Sequence, residues 1–170
     1  MRELILYIAK KSEDDPYFGA VKLNKILLFS DLSLYGKSGQ PITGDVYQKL
    51  KHGPAPRKLV PVRDKMIKAG DCAEQTRVFF GRKQKRLVAL REPDLSLFSG
   101  EEIAEVDAFI NLLRGSSASA VSDLSHSLVG YDCVEIGEEI PYETVFLDDR
   151  ELTPNERRHA KGVEVSLGRS

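Results

Sequence analysis

Cysteine is scarce in this chain of 170 residues, and the two present, Cys72 and Cys133, form no CxxC pair, zinc pattern or disulfide framework. That usage fits a reducing compartment, so a cytoplasmic protein is expected. Long apolar runs are also missing. None approaches the ~18–20 residues that cross a bilayer, and Met1-Arg2-Glu3-Leu4-Ile5-Leu6 is too short and too soon charged to be a secretion signal. The three histidines, His52, His126 and His159, lack the helical spacing of metal ligands. Neither a P-loop nor a GxGxxG motif occurs, which leaves no phosphate-cradling loop. What remains, 41% hydrophobic and 30% charged, is the composition of an ordinary globular domain with ample core.

The net charge of −1 conceals a steep polarity. Residues 45–91 hold thirteen basic and four acidic side chains, whereas residues 92–152 hold two basic and fifteen acidic. Two halves of one domain neutralising each other would explain this. So would an exposed dipole that steers a charged partner.

Periodicity gives an order of elements. Leu4, Ile5 and Ile8 predict a helix over 2–12, stopped by Pro16. The best-patterned segment, 19–36, carries Leu23, Ile26, Leu27, Ser30 and Leu34 on its inner face, widened by Leu28 and Phe29, and reads as a central helix. Residues 45–51 alternate like a strand and end in the rigid His52-Gly53-Pro54-Ala55-Pro56. A helix follows over 57–69, then two strands over 75–80 and 85–90, with a turn at Gly81-Arg82-Lys83-Gln84. With 45–51, this hairpin is expected to form a three-stranded antiparallel sheet. Ser99 and Glu102 make a capping box for an acidic helix over 101–114, and a shorter helix is expected over 117–127. Residues 130–150 are acidic and aromatic, with a short helical turn expected from Ile140-Pro141-Tyr142. Thr153-Pro154-Asn155-Glu156 opens a short polar C-terminal helix or tail. The expected class is α+β: one mostly helical domain over 1–150 with a small sheet, and a peripheral segment over 151–170.

Catalytic signatures are weak. Ser125-His126 places a hydroxyl beside an imidazole, but neighbours on a helix point in different directions. The pairs Glu101-Glu102, Glu138-Glu139 and Asp148-Asp149 read as solvated acids. No enzyme, metal site or cofactor is expected. The basic segment has two readings. As a winged-helix-like element, Arg82, Lys83, Lys85 and Arg86 would lie on the phosphate backbone of a nucleic acid, with Arg57, Lys58, Arg63, Lys65 and Lys68 flanking the preceding helix. As a bland feature, it is a solubilising turn and the wet face of a helix.

One run of motifs resembles a known family. Lys22-Leu23-Asn24-Lys25-Ile26-Leu27-Leu28-Phe29-Ser30-Asp31, then Gly39-Gln40-Pro41-Ile42-Thr43-Gly44-Asp45, then Tyr47 with Gly53-Pro54-Ala55-Pro56, are similar to successive signatures of the Panacea, or SocA-like, antitoxin domain. Leu124-Ser125-His126 and Gly137-Glu138-Glu139-Ile140-Pro141-Tyr142 resemble its later ones. The family often has Trp-x-Tyr before the Gly-Pro and a Trp after the Ser-His. Here Leu50 and His52 stand at the first pair, and Tyr131 is the nearest residue to the second. The resemblance implies a helical α+β fold and function by binding. The expected partner is a cognate protein toxin, with delivery to an AAA+ protease as a further step and a phage-associated setting for some members. Nucleic acid is the alternative partner, and a membrane is not expected. It further implies core roles for Leu23, Ile26, Leu27 and Phe29. Lys22 and Lys25 would share a face open to acids or a partner, and Gly53 with the prolines would fix the chain's exit from the strand.

Overall fold

Helix α2 (Ala20–Ser38) forms the spine of the protein, with Leu23, Ile26, Leu27, Leu28, Phe29, Leu32 and Leu34 all buried around its circumference. In the computed structural model, which describes residues 1–147, helices α1, α4 and α5 and the sheet strands pack on different sides of it. Helix α1 (Arg2–Lys11) buries every residue from Leu4 to Ala9. It is therefore covered on more than the single face its periodicity suggests, because α2, α3 (Leu59–Ala69), α4 (Gly100–Leu113) and the hairpin all touch it. Ser99 and Glu102 exchange both hydrogen bonds of the capping box that starts α4. Helices α5 (Ala118–His126) and α6 (Val129–Asp132) complete a mostly helical α+β domain. The polar helix or tail expected over 151–170 lies outside the described residues.

The strands divide differently from the expectation. Strand β1 is only Tyr47–Gln48, and it pairs antiparallel with β2 (Ala55–Pro56) on one side and β5 (Glu139–Ile140) on the other. The hairpin β3 (Cys72–Phe79) and β4 (Arg82–Ala89) is a separate two-stranded sheet. A proline cannot donate to a ladder, so Pro54 and Pro56 keep the small sheet short. The hairpin turn is Phe80-Gly81, earlier than Gly81-Arg82-Lys83-Gln84, and both turn residues have positive φ (45° and 72°). Two such residues define the tight turn whose twist matches the flanking strands. That choice pulls Arg82, Lys83 and Gln84 into β4.

Ile26 lies fully buried in the main cluster, whereas Leu112 on α4 is 65% exposed. Ile26→Ala is expected to lower stability by about 2–5 kcal/mol, and Leu112→Ala by less than about 0.5 kcal/mol. Urea unfolding with an unchanged slope checks both.

Candidate functional site

Helix α2 carries three charged side chains into the interior, and each one secures a different loop. Lys22 Nζ donates to Asp15 Oδ2 at 2.7 Å, both side chains being buried. Lys25 Nζ donates to the Pro54 carbonyl at 2.6 Å. Asp31 accepts from the Thr43 backbone N–H at 2.8 Å, from the Thr43 hydroxyl, from Tyr47 OH at 2.8 Å and from Tyr142 OH at 3.3 Å. Burial pushes the Asp31 carboxyl up, and these donors oppose that shift. Asp45 locks the next turn by accepting from Val46 N–H at 2.8 Å and Lys58 N–H at 2.9 Å. A charge removed from water is tolerated only when it is matched in this way.

A second cluster forms where α2, the Gly-Pro loop and α5 meet. Gly53 has φ +91°, and a Cβ there would lie 2.5 Å from Ser125 Oγ and 2.6 Å from Lys25 Nζ. Glycine is therefore required both by conformation and by space. Ser125 Oγ donates to the Ser122 carbonyl at 2.7 Å, and the Ser122 hydroxyl donates to the His52 carbonyl at 2.8 Å. His126 stacks on Tyr131 at 4.7 Å, and its buried Nε2 has no hydrogen-bond partner among the described residues. Tyr131 OH donates to the Leu50 carbonyl at 3.0 Å, so two positions where this chain departs from the family pattern touch each other. Burial lowers the Lys25 ammonium to about 8. Lys25 and Ser125 are both 0% exposed. A substrate has no approach to this hydroxyl, whose proton is held by a carbonyl, and the group acts as a packed joint.

The remaining signature residues are structural. Leu23 and Phe29 lie in the main core, with Phe29 stacked on Phe109 at 5.7 Å, while Leu28 joins Leu32 and Tyr47 in a smaller cluster. Gly44 turns with φ +59°. Pro56 and Ile140 pair with Tyr47 from either side, and Pro141 leads into a 3-10 turn (Tyr142–Phe146) that presents Tyr142 to Asp31. Of Lys22 and Lys25, expected to pair with acids or a partner, Lys22 pairs with the acid Asp15 and Lys25 donates to a backbone carbonyl, both inside the fold. Asp15, Asp31 and Tyr142 escaped the sequence reading as functional positions, although an acid inside so apolar a helix is a signal in itself.

The basic hairpin is only partly a surface. Arg86 is 3% exposed, and its guanidinium donates to the carbonyls of Ser12 at 2.7 Å, Asp15 at 2.8 Å and Glu13. The Ser12 and Glu13 carbonyls directly follow the C-terminus of α1, where a cation complements the helix dipole. Arg86 is therefore a clamp between hairpin and body and is removed from any nucleic-acid contact. Lys85 is exposed but pairs with Glu74 at 2.9 Å. Lys83 is exposed, and Arg82 stands opposite Phe79 in the ladder. Arg63 pairs with Asp64 at 2.9 Å and lies 3.7 Å from Glu74. Among the described residues, no ion pair joins a base of 45–91 to an acid of 92–152. The α4 acids turn instead to α1 and α2, through Lys11 with Asp107 at 3.9 Å and Lys37 with Glu105.

Gly53→Ala is expected to destabilise the protein by about 2 kcal/mol or more, since it combines strain with a clash at buried polar groups. Its loss in thermal melting should exceed that of Gly39→Ala, where φ is also positive but no atom lies within 4 Å. Lys25 gives a pH dependence. Below about 8 the native ammonium carries its full burial penalty; between about 8 and 10.5 the native state has released the proton that the unfolded chain still holds. Stability from this group therefore rises with pH across that window, by about 1–3 kcal/mol. Urea titrations at pH 7.5 and 10 should show the gain in the parent protein and not in Lys25→Met.

Neither the curated proteins nor the solved structures gave a match to this chain. A protein-family model, described as antitoxin SocA-like, Panacea domain, matches residues 23–129. That span runs from the spine helix through the Gly-Pro loop and the Ser-His joint and takes in Lys25 and Asp31, while Asp15, Lys22 and Tyr142 lie outside it; on this match the chain belongs to the SocA-like Panacea antitoxin domain family.

Proposed function

We propose that this protein is an antitoxin that captures a cognate protein toxin by direct contact. Family membership supports the role, and one observation supports the mode: among the described residues no ion pair joins the two oppositely charged segments. The basic hairpin region and the acidic α4 region therefore each keep a field of their own. Such a polarised surface speeds encounter with a charged protein and fixes its orientation. The signature residues act as scaffold, so recognition falls to the outer faces: the hairpin, α4 and the acidic stretch beyond 130. No helix among the described residues is long and apolar enough to cross a membrane, and we place the action in the cytoplasm.

Capture alone blocks a toxin by occlusion, and transfer of the complex to an AAA+ protease would remove it. The nucleic-acid reading loses ground, since Arg86 is internal and Lys85 is paired, so two of its four hairpin cations are committed.

Expression of the toxin from a neighbouring reading frame should arrest growth, and co-expression of this protein should restore it, with the two co-purifying. Growth arrest without rescue, and no complex, would refute the reading. A toxin half-life shortened several-fold by this protein, and only in a protease-competent strain, would add the delivery step; an unchanged half-life leaves occlusion as the mechanism.

A further inference from the structure

The hairpin tip is aromatic as well as basic. Phe80 is 82% exposed and Val78 75% exposed. Tyr17 meets Phe79 edge-on at 5.0 Å and Phe80 in a stacked arrangement at 6.3 Å. Phe80 also holds a positive φ of 45° in a two-residue turn that favours Asn or Gly. A bulky side chain there sits in a strained backbone position and leaves most of its surface to solvent.

Beside this cluster lies a groove of about 620 Å³, walled by the hairpin on one side and by the first turns of α2 and α5 on the other. Its floor and walls are mainly apolar, from Tyr17, Val21, Phe79, Phe80 and Ala118. Its charged lining is Lys22, Lys83 and Lys85, with no carboxylate among the described lining residues. Lys22 is satisfied internally by Asp15 and Lys85 by Glu74, which leaves Lys83 facing outward with no ion pair among the described residues. Gly19 lets the hairpin approach: a Cβ there would lie 3.1 Å from Gln84 Cγ and 3.2 Å from the Lys85 carbonyl.

We propose that this groove is the docking site for an acidic protein segment bearing aromatic or large aliphatic side chains, which insert between Phe80 and the helix ends while a carboxylate meets Lys83 beside the exposed Lys85–Glu74 pair. Charge complementarity fixes the sign of the occupant, and the apolar walls fix its side chains. Exposed aromatic anchors beside a pocket are the usual carriers of protein-binding energy. This rests on the capture of a protein partner proposed above and names the surface and the partner's chemistry. A nucleic acid is disfavoured, because a phosphate track needs a row of free cations and the hairpin has given up Arg86 to the interior.

The test uses three fluorescent probes on the full chain: a twelve-residue peptide alternating Asp or Glu with Phe or Leu, the same peptide with Lys at every acidic position, and a twenty-nucleotide single-stranded dT. The acidic peptide should bind, weaken with salt, and lose at least about tenfold in affinity in Phe80→Asn and in Lys83→Glu. Phe80→Asn should melt at or above the parent temperature, because Asn suits the turn, so its loss of binding cannot be ascribed to unfolding. Equal binding of the Lys peptide, no binding of the acidic one, or unchanged affinity in Phe80→Asn overturns the proposal. Binding of dT that is lost in the same variants assigns the groove to nucleic acid and overturns it too. Toxin rescue is scored separately. Rescue retained by Phe80→Asn and Lys83→Glu removes the groove from toxin capture without touching the antitoxin reading. Failure of rescue by the parent protein refutes that reading whatever the peptide does.

Discussion

A charge carried out of water must be matched, and helix α2 carries three of them inward. Lys22, Lys25 and Asp31 sit on a helix that is otherwise surrounded by Leu, Ile and Phe. Left alone, each would destabilise the native state by several kcal/mol. Each therefore dictates where a distant piece of chain must lie: the loop at Asp15, the Gly-Pro loop at Pro54, and the turn at Thr43 together with Tyr47 and Tyr142. Hydrophobic burial alone is tolerant of sliding and rotation. These three contacts are directional, so they convert a greasy helix into one with a fixed set of neighbours.

The same logic separates interior from exterior within the hairpin. Arg86 reaches down to the end of α1 and anchors the base of the hairpin, with its guanidinium over the Phe18 ring at 5.5 Å. Beyond that point the strands leave the body and carry Lys83, Val78 and Phe80 into solvent. The clamp fixes where the hairpin leaves the body, and a binding element whose base is placed beforehand needs less ordering on binding. The polarity of charge follows the same division. Among the described residues, Glu105 and Asp107 of α4 are answered by lysines of α2 and α1, while the basic segment pairs with its own acids and Glu3.

The helices were legible because their apolar spacing and caps are local. Ser99 with Glu102, and the run from Leu23 to Leu34, contain their own instructions. The grouping of strands was not, because Tyr47 chooses Ile140 as a neighbour across a long stretch of intervening chain. Alternation at 45–51 announces extended backbone and says nothing about its partner. The fate of the cations was equally hidden. Arg82, Lys83, Lys85 and Arg86 look alike in sequence, yet the base of β4 is covered on both faces, Leu87 in the core and Arg86 on the three carbonyls after α1. The signature lysines could be expected to pair with acids or a partner, but nothing local reveals that Asp15 and Pro54 will close over them. The turn at Phe80-Gly81 was missed because phenylalanine is a poor turn residue, and that mismatch is what draws notice to the tip.

The hydrogen bond from Tyr142 to Asp31 spans 111 residues of sequence. During synthesis the ribosome releases α2 long before it releases residue 142. Over that interval Asp31 and the inner strand at Tyr47 lack their last partners, Tyr142 and Ile140. Local helices form in microseconds, but a contact of this separation waits for the chain to be made. The nascent protein therefore stays open along one side until its closing stretch emerges, and a ribosome that stalls before that stretch releases an incomplete fold. Such species expose apolar surface and invite proteolysis. For this fold, the length of chain completed is itself a condition of the native state.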